Sequence, residues 1–365
     1  MSTKAQRPPA EVRFADELAA LVEADTGPRP PGWQLSLTAV RAFLIGDAHL
    51  GTSPKFVGDP ALVERAMVSL VTQRGLLLIG EPGTAKSMLS ELLAAAISGD
   101  STRVVQGGAA TGEEQIRYGW NYALLLNEGP SPRALVPGPV LRGMQAGAIV
   151  RFEEITRCPS EVQDSLLSLL SDRVLAIPEL GAAEESLCLA RPGFNIIATA
   201  NTRDRGVNEM SAALKRRFNF ETVHPIADFD TELALVERES TRMLAESGVP
   251  AAVPRDVLEV LVRTFRDLRG QLPGSAGRSG HATRLNTVMS TAECVSVAHA
   301  AGIRGHFLRS GDSAAPADII DCLSGVAVKD DPDDLQKVRR YLEQEVPKRK
   351  GTAWTALHAA RHRLG

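Results

Sequence analysis

The sequence predicts an α/β chain in two parts, with a five-stranded parallel sheet first and an all-helical domain after it. Between about residues 55 and 225, short apolar runs typical of β-strands alternate with helix-like segments, which is the pattern of a parallel sheet. After His224-Pro225 these runs nearly vanish, and apolar residues recur at helical spacing instead. We therefore expect an N-terminal extension at 1–50, an α/β core at 51–225, and a helical lid domain with a helical C-terminal extension at 226–365.

The five candidate strands are short apolar runs bounded by turn-forming residues. The fourth run is expected to lie between the first and the third in the sheet, which gives a single sheet of five parallel strands. The runs are Gly75–Ile79, Arg103–Gln106, Ala148–Phe152, Asn195–Ala200 and Phe218–Val223.

Four amphipathic segments are the candidate helices of the second part. At the other end of the chain, residues 1–32 are charged and Pro-rich and finish in the breaker run GPRPPG, so we expect a mobile or loosely docked extension there. The candidate helices are Thr231–Glu246, Asp256–Arg269, Thr283–Ala301 and Asp333–Glu345.

Composition narrows the class of protein. The 365 residues are 44% hydrophobic and 23% charged, and a net charge of −3 gives no overall basic field that would attract nucleic-acid phosphates. The four cysteines are scattered and form no metal-ligand spacing, and no apolar stretch approaches the ~20 residues that span a bilayer. Because the N-terminus also lacks a secretory signal, we expect a soluble cytoplasmic protein without membrane insertion.

The clearest chemical motif follows the first candidate strand, where LLLI leads into GEPGTAKS and then a helix-like segment begins. In a strand–loop–helix unit of this kind, backbone N–H groups and the helix N-terminus face phosphate groups. Lys86 is expected to bridge the β- and γ-phosphates, and Ser87 to ligate Mg²⁺. The sequence therefore predicts an ATP site formed by Gly80, Glu81, Pro82, Gly83, Thr84, Ala85, Lys86 and Ser87.

A second motif supplies the groups that hydrolysis needs. The run AIVRFEEITRCP at 148–159 is an apolar strand that ends in two carboxylates, Glu153 and Glu154. Adjacent strand residues point to opposite sides, but the chain turns at the end of a strand, so both carboxylates are expected to reach the site. We assign Glu153 to the Mg²⁺ shell and Glu154 to activating the attacking water.

Two positions depart from the usual form of these motifs. Ala85 replaces the glycine that normally precedes the lysine; alanine adds only a methyl group and is expected to adopt helical φ and ψ angles. Glu153 stands where aspartate is usual, and its longer side chain is expected to weaken or re-space metal coordination. These departures leave open a second hypothesis, an ATP-switched scaffold with negligible turnover.

Further polar residues lie beside the fourth and fifth runs. Asn201 lies just past the fourth run, where its amide can hold the attacking water or contact the γ-phosphate. Arg216 and Arg217 precede the fifth strand and are placed to enter a neighbouring subunit's site, where an arginine stabilises charge on the transferred phosphoryl group. Arg284, in the first turn of a predicted helix, is expected to sense the γ-phosphate when the lid closes.

In this order the elements resemble an AAA+ ATPase, and their details resemble the MoxR family over about residues 55–300. The resemblance rests on GEPGTAKS, on FVGDPALVERAMVSLVTQRGLLLIG at 56–80, and on LVPGPVLRGMQAGAIVRFEEITRCP at 135–159. Arg217 stands at the arginine of the family's Asp-Arg-Phe motif, but Arg216 replaces the aspartate, so either can be the finger that acts in trans. The other implied contacts are Val57 and Gly58 on the adenine side, Asn201 as first sensor and Arg284 as second sensor.

The same resemblance implies a homo-oligomeric ring, expected to be a hexamer, that uses ATP and Mg²⁺ to remodel, assemble or activate a protein partner. It also implies a von Willebrand factor A-type domain protein as client or co-chaperone. A DNA-directed motor is the least favoured alternative, because the charge balance is acidic and no nucleic-acid module is appended.

Two insertions also resemble those of the family, in which such segments face the ring pore or the client. Residues 107–135 hold Tyr118, Trp120 and Tyr122, and residues 172–193 have the pattern of a hairpin. The alternative for the first insertion is that the aromatic side chains only pack it onto the sheet. The alternative for the second is a plain solvated hairpin.

Overall fold

The computed structural model describes residues 5–181, 186–201, 208–270, 285, 287, 289–309, 313–329 and 331–364. The chain divides into two compact units, one of Met1–Gly80 and Ala85–His224 and the other of Glu81–Thr84 and Pro225–Gly365. Among the helices that can be described, none combines the length and the apolar character that a membrane crossing requires.

The first unit is built on a parallel sheet of five strands, which confirms the predicted fold class. In the described residues the strands are β1 (Gly75–Gly80), β2 (Val104–Gln106), β3 (Tyr118–Trp120), β4 (Leu135–Pro137), β5 (Ile149–Glu153), β6 (Val174–Ala176), β7 (Leu187–Leu189), β8 (Asn195–Asn201) and β9 (Phe218–Val223). The order in the main sheet is β2-β5-β8-β1-β9, and every pair in it is parallel. The fourth predicted run, β8, therefore lies between the first and the third, as expected.

Short helices connect and cover these strands. Four of those described begin at a side-chain cap: Ser36 for α3, Asp59 for α4, Asn121 for α7 and Ser211 for α11, each of which accepts from a backbone N–H of the first turn. The helices described in this unit are α1 (Ala10–Arg13), α2 (Ala15–Ala24), α3 (Leu37–Ile45), α4 (Pro60–Val71), α5 (Lys86–Ser98), α6 (Glu113–Ile116), α7 (Tyr122–Glu128), α8 (Pro139–Ala146), α9 (Ser160–Asp164), α10 (Leu167–Ser171) and α11 (Ala212–Lys215).

The sheet has an apolar core on each face, because successive strand residues point to opposite sides. Leu76 and Leu78 of β1 pack with the N-terminal helices, α4 and α5. Leu77 points the other way and packs with Val150 and Phe152 of β5 and with residues of α8 and α10. Burial on both faces explains why these strands are almost continuously hydrophobic.

The N-terminal segment packs on the first of these cores, unlike the mobile or loosely docked extension that its composition predicts. Ala10 and Leu21 are fully buried, and Trp33 joins the same apolar cluster. The Glu11 carboxylate accepts hydrogen bonds from the backbone N–H and the hydroxyl of Ser101, at 3.1 and 2.7 Å. The first helix is thus fixed against the loop that follows α5.

The two insertions form small antiparallel pairs, β3 with β4 and β6 with β7. Tyr118 and Trp120 pack edge to face, with ring centroids 6.1 Å apart, and lie partly buried against the core. The Tyr118 hydroxyl donates to Glu179 at 3.0 Å. Tyr122, on α7, is 62% exposed. Two of the three aromatic residues therefore pack the first insertion, and the third remains available to solvent.

The second unit is helical in its described part, with α12 (Phe229–Glu246), α13 (Arg255–Leu268), α14 (Thr291–Ile303), α15 (Pro316–Leu323), α16 (Pro332–Gln344) and α17 (Thr352–Ala359). These helices share one apolar core. Glu232, fully buried on α12, accepts hydrogen bonds from Arg266 and Arg269. The sequence predicts four of these six helices, but the predicted start of the third at Thr283 is wrong, because α14 begins at Thr291 with Ser290 as its cap. The other two helices, α15 and α17, have eight residues each, too few to show a clear helical period.

Candidate nucleotide and metal site

The loop after β1 and the start of α5 form the first part of the site. The strand is apolar and largely buried, and α5 begins at Lys86. Ala85, directly before the helix, has φ 64° and ψ 22°, which is the left-handed helical region. The prediction of ordinary helical angles at Ala85 is therefore wrong, because the backbone there is left-handed. A residue with a Cβ atom pays for this conformation with roughly 1–2 kcal/mol of strain.

Lys86 and Ser87 take up the first turn of α5. Lys86 is buried, and its Nζ atom donates to the carbonyl oxygen of Gly80 at 3.1 Å, so the ammonium lies against the start of the loop. Ser87 Oγ donates to Glu153 Oε2 at 2.7 Å. The hydroxyl and the carboxylate thus meet at the N-terminal end of a helix, where free N–H groups and the helix dipole favour an anion.

Glu153, the last residue of β5, is buried, and its two carboxylate oxygens have different partners. Oε2 accepts from the hydroxyls of Ser87 and Thr199, the latter at 2.8 Å. Oε1 accepts from Ser90 Oγ at 2.6 Å and from Arg151 Nη2 at 2.8 Å. Burial raises the pKa of this carboxyl, but the Arg151 guanidinium and the three hydroxyls hold the pKa below its usual value. Glu153 is therefore ionised at neutral pH.

Glu154 follows in a left-handed turn, with φ 56° and ψ 45°, so the chain does bend where the strand ends. Its backbone N–H donates to Thr199 Oγ1 at 3.0 Å, and its carboxylate, 32% exposed, pairs with Arg157 at 3.0 Å. Gly107 lies against this turn and donates its N–H to the carbonyl oxygen of Glu153 at 2.7 Å. A Cβ atom on Gly107 would come within 2.3 Å of the carbonyl oxygen of Glu154, so only glycine fits there.

Three other residues of the first unit are predicted to contact the nucleotide. One lies at the edge of the sheet where β1 ends, and the other two lie just before α4. Asn201 ends β8 and pairs in register with Gly80, which places it at the edge of the sheet where the loop after β1 begins. Val57 is half-buried and Gly58 is exposed, immediately before the cap of α4. The structure does not bring these two residues into hydrogen bonds with the acidic strand.

The two candidate finger arginines differ in their surroundings. Arg217 is held in place, because its Nε donates to Ser171 Oγ at 2.8 Å and its Nη1 donates to the carbonyl oxygen of Ala213 at 3.2 Å. Arg216 is exposed, and its guanidinium forms no hydrogen bond or ion pair with the part of the chain that the structure describes. The predicted second sensor, Arg284, lies outside the described residues.

The residues present fit a nucleotide phosphate group together with Mg²⁺. A serine hydroxyl and a carboxylate oxygen that already meet at 2.7 Å are hard oxygen ligands of the kind that Mg²⁺ prefers. No group of three or more His, Cys, Asp or Glu side chains able to hold a metal occurs within the described ranges. A site with this small number of protein ligands suits Mg²⁺, because that ion is usually held by one or two carboxylates, water and the phosphates of its substrate.

Three side chains of this site were not among the predicted residues: Ser90, Arg151 and Thr199. Two of them had a signal in the sequence. Arg151 and Glu153 are two apart on one strand, and Ser87 and Ser90 are three apart on one helix, so each pair shares a face. Thr199 had none, because its contact with Glu153 depends on how β5 and β8 are aligned.

Two family models match the chain. Residues 75–218 match the AAA domain of the dynein-related subfamily, and residues 230–365 match the YehL-like AAA+ ATPase C-terminal domain. YehL of Escherichia coli strain K12 is 60% identical over 361 residues, which cover 98% of each chain. The chain belongs to the YehL-like AAA+ ATPases. Its predicted AAA+ resemblance is thereby confirmed, and membership of this YehL-like family supports nucleotide binding and an ATP-driven activity.

More distant similarities extend beyond the YehL-like proteins. The protein SH1500 of Staphylococcus haemolyticus strain JCSC1435 is 29% identical over 161 residues, which cover 44% of this chain and 59% of that protein. Among solved structures, NtrX from Brucella abortus with ADP has a TM-score of 0.47 at 14% identity, covering 85% of this chain and 65% of NtrX. NtrX with ATP gives 0.46 at 16% identity, covering 86% and 70%.

Proposed function

We propose that the protein is a Mg²⁺-dependent ATPase that works as a ring of identical subunits and remodels, assembles or activates a protein partner. The observation that carries this proposal is the meeting of Ser87 and Glu153 beside Lys86, with Glu154 at the adjoining turn. These residues supply, at one edge of the sheet, a cation for the phosphates, ligands for Mg²⁺ and a base for water.

In this proposal Gly80–Ser87 would bind the ATP phosphates, and Ser87 and Glu153 would hold Mg²⁺, which would supply positive charge to the phosphate oxygens. Glu154 takes a proton from the attacking water, which Asn201 orients. The ion pair between Glu154 and Arg157 is the resting state of this base, and it opens when the water is bound. Because Glu154 is the more exposed of the two carboxylates, it can change partners, whereas Glu153 is fixed by its four neighbours.

The ring completes the site. Arg217 or Arg216 enters the site of the neighbouring subunit and stabilises charge on the transferred phosphoryl group, which is worth ~10³–10⁵ in rate where such a finger operates. We expect a hexamer, and the MoxR resemblance favours a von Willebrand factor A-type domain protein as client or co-chaperone. Tyr122, exposed on the first insertion, is available to contact that partner.

Glu154→Gln tests the assignment of the base. The variant should bind ATP like the wild type but release phosphate at least ~100-fold more slowly, because a general base contributes about 10²–10⁴ in rate. Glu161→Gln is the matched control, since it makes the same change at an exposed position seven residues along the chain and should hydrolyse ATP normally. Equal activity of Glu154→Gln and wild type would remove Glu154 from the mechanism.

A second candidate is the ATP-switched scaffold with negligible turnover. It is favoured by three features: the left-handed Ala85, the glutamate at position 153, and the ion pair that occupies Glu154. Steady-state phosphate release by the purified wild-type protein separates the two candidates, because the scaffold would bind ATP and release almost none. Stimulation by DNA that falls steeply with salt would instead support a DNA-directed motor.

A Glu154→Gln trap also offers a route to the partner. If ATP stays bound, the ring should hold its client longest, so the variant should retain more of a von Willebrand factor A-type protein than the wild type does. ATP compared with ADP provides the internal control.

A further inference from the structure

Arg151 is an unusual residue for its position, in the middle of a buried strand of the central sheet. Its side chain is 11% exposed, and its guanidinium makes four hydrogen bonds. Nε donates to Ser90 Oγ at 3.0 Å, Nη1 to the carbonyl oxygen of Ser101 at 3.1 Å, and Nη2 to the carbonyl oxygen of Ser87 at 3.1 Å. The fourth bond joins Nη2 to Glu153 Oε1 at 2.8 Å.

The need for a cation follows from the burial of Glu153. A carboxylate taken out of water is costly unless it is paired and hydrogen-bonded, and hydroxyl groups alone leave its charge uncompensated. Arginine suits this task because it stays protonated and offers several donors in a fixed plane. Since Arg151 and Glu153 are two apart on β5, both side chains lie on the face that is covered by α5.

The two carboxylate oxygens of Glu153 have different hydrogen-bond partners. Arg151 and Ser90 hold Oε1, whereas Oε2 is shared by two hydroxyls, one of which belongs to the proposed metal ligand Ser87. Oε2, the oxygen beside which Mg²⁺ is proposed to bind, thus has two hydroxyl groups as its described partners. Oε1 has the permanent positive charge of Arg151 as a partner.

We propose that Arg151 is a built-in counter-ion of Glu153, a positioning residue that lets the acidic strand and α5 assemble in their working arrangement before Mg²⁺ arrives. The same fixed positive charge opposes a second cation, so the wild-type site binds Mg²⁺ more weakly than a site without Arg151. This inference rests on the proposed function, because it assumes that the metal and nucleotide bind at Ser87 and Glu153.

The test uses the full-length chain and two readouts that need no turnover. Thermal unfolding in excess EDTA, without nucleotide, measures the metal-free protein. The Mg²⁺ concentration at half-maximal binding of a fluorescent ADP analogue measures the affinity of the site for the metal. The variants are Arg151→Met, Arg151→Lys, and Arg151→Met combined with Glu153→Gln for the unfolding readout alone.

Arg173→Met is the matched control. Arg173 is a half-buried arginine of this unit that donates to the carbonyl oxygens of Phe194 and Gln73, and among the described residues it has no carboxylate partner. Its loss should lower the unfolding temperature and leave the Mg²⁺ midpoint unchanged. A loss of stability alone would therefore not imitate the effect expected of a counter-ion.

We expect Arg151→Met to lower the metal-free unfolding temperature by at least about 5 °C, because it leaves a buried carboxylate unpaired. The double variant should recover at least half of that loss, since a neutral glutamine needs no counter-ion. The Mg²⁺ midpoint of Arg151→Met should fall about tenfold, the change that corresponds to about 1.4 kcal/mol. Arg151→Lys keeps the charge and should stay within about threefold of the wild-type midpoint.

Several results would overturn the inference. An unchanged or raised Mg²⁺ midpoint in Arg151→Met would make Arg151 a packing residue only, and a double variant no more stable than Arg151→Met would show that charge pairing is not its role. If Arg151→Met does not fold while the double variant does, the counter-ion role is supported. Failure of the wild type to bind the nucleotide would contradict the proposed function, and the unfolding series would still decide whether Arg151 compensates Glu153.

Discussion

Backbone strain marks both sides of the candidate site at the scale of single residues. Among the described residues, four non-glycine positions have positive φ angles, and two of them are Ala85 and Glu154. Ala85 directly precedes Lys86, the lysine proposed to bind the phosphates, and Glu154 directly follows the buried carboxylate of Glu153. Such conformations persist only where the surroundings enforce them, and they cluster at functional sites. Here they set the directions in which Lys86 and Glu154 leave the chain.

Replacing Ala85 with glycine should therefore stabilise the protein. Glycine reaches left-handed angles without strain, so the substitution should stabilise the folded state by roughly 1–2 kcal/mol. Glycine also gives the unfolded chain more conformational freedom, which should lower the free energy of unfolding by about 0.4–1 kcal/mol. We expect a net gain of about 0.5–1 kcal/mol in the free energy of unfolding, measured by urea denaturation, with ATP affinity maintained.

The matched control for this prediction is the same substitution in the interior of the same helix. Ala95, buried on α5, has ordinary helical surroundings, so Ala95→Gly should destabilise by about 1 kcal/mol. Opposite signs for the two variants would support the strain at Ala85. Destabilisation by both would contradict it.

Motifs identify some site residues, and packing determines the others. Lys86, Ser87, Glu153 and Glu154 are predicted because phosphate and metal chemistry require those groups at those places. Thr199 is not, because a hydroxyl on one strand reaches the carboxylate of its neighbour only in one alignment of the two strands. The left-handed backbone at Ala85 could not be predicted from the sequence either, since alanine favours right-handed angles in most surroundings.

Among elements, the N-terminal segment differs most from its prediction. Prolines and charges at 1–32 suggest a loose extension, yet Ala10 and Leu21 there are fully buried, and several of the charges have specific partners. Glu17, for example, pairs at 2.6 Å with Lys55, which is buried against the rings of Phe14 and Phe43. Contacts between parts of the chain far apart in sequence leave no periodic pattern, so composition alone could not predict the docking.

The segment also supports the candidate site. Glu11 on α1 holds the N–H and hydroxyl of Ser101, and the carbonyl oxygen of Ser101 accepts from Arg151. We expect Glu11→Ala to cost about 1–2 kcal/mol of the free energy of unfolding, because it leaves two donors without their charged acceptor. Urea denaturation followed by the fluorescence of Trp33 measures this loss, with the other two tryptophans replaced by phenylalanine.

Asp16→Ala is the control for this measurement. Asp16 lies on α2, is exposed, and carries the same charge, so its removal should change stability by less than about 0.5 kcal/mol. If the two variants behave alike, the contact between Glu11 and Ser101 does not hold the segment in place.

For the whole molecule, the proposed ring raises the question of which arginine would act between subunits. The family motif places Arg217 at the finger position, and the hydrogen bond that its Nε donates to Ser171 Oγ gives the side chain a defined direction at the start of β9. Arg216 is exposed and less restrained. A pre-oriented side chain loses less freedom when it enters a neighbouring site.

We therefore expect Arg217→Ala to leave ATP binding nearly unchanged and to lower turnover by ~10³ or more, with a smaller effect of Arg216→Ala. Mixing Arg217→Ala subunits with Glu154→Gln subunits should then restore some phosphate release. A junction with an intact Glu154 and an intact neighbouring Arg217 forms wherever the two mutants meet in the right order.

Subunit exchange must be demonstrated in the same samples, for example by fluorescence transfer between labelled pools. If subunits exchange and no activity returns, Arg217 acts within its own subunit or all sites must work together. If Arg216→Ala is the more damaging variant and gives the complementation instead, the finger is Arg216.

Gly107, at the start of the first insertion, lies directly against the turn that carries Glu154. Its N–H is bonded to the carbonyl oxygen of Glu153, and its missing side chain lets it lie against the carbonyl oxygen of Glu154. One peptide therefore connects the start of the first insertion to the turn that carries Glu154, the proposed base. We expect a displacement of the insertion to shift this turn, and a displacement of the turn to shift the insertion.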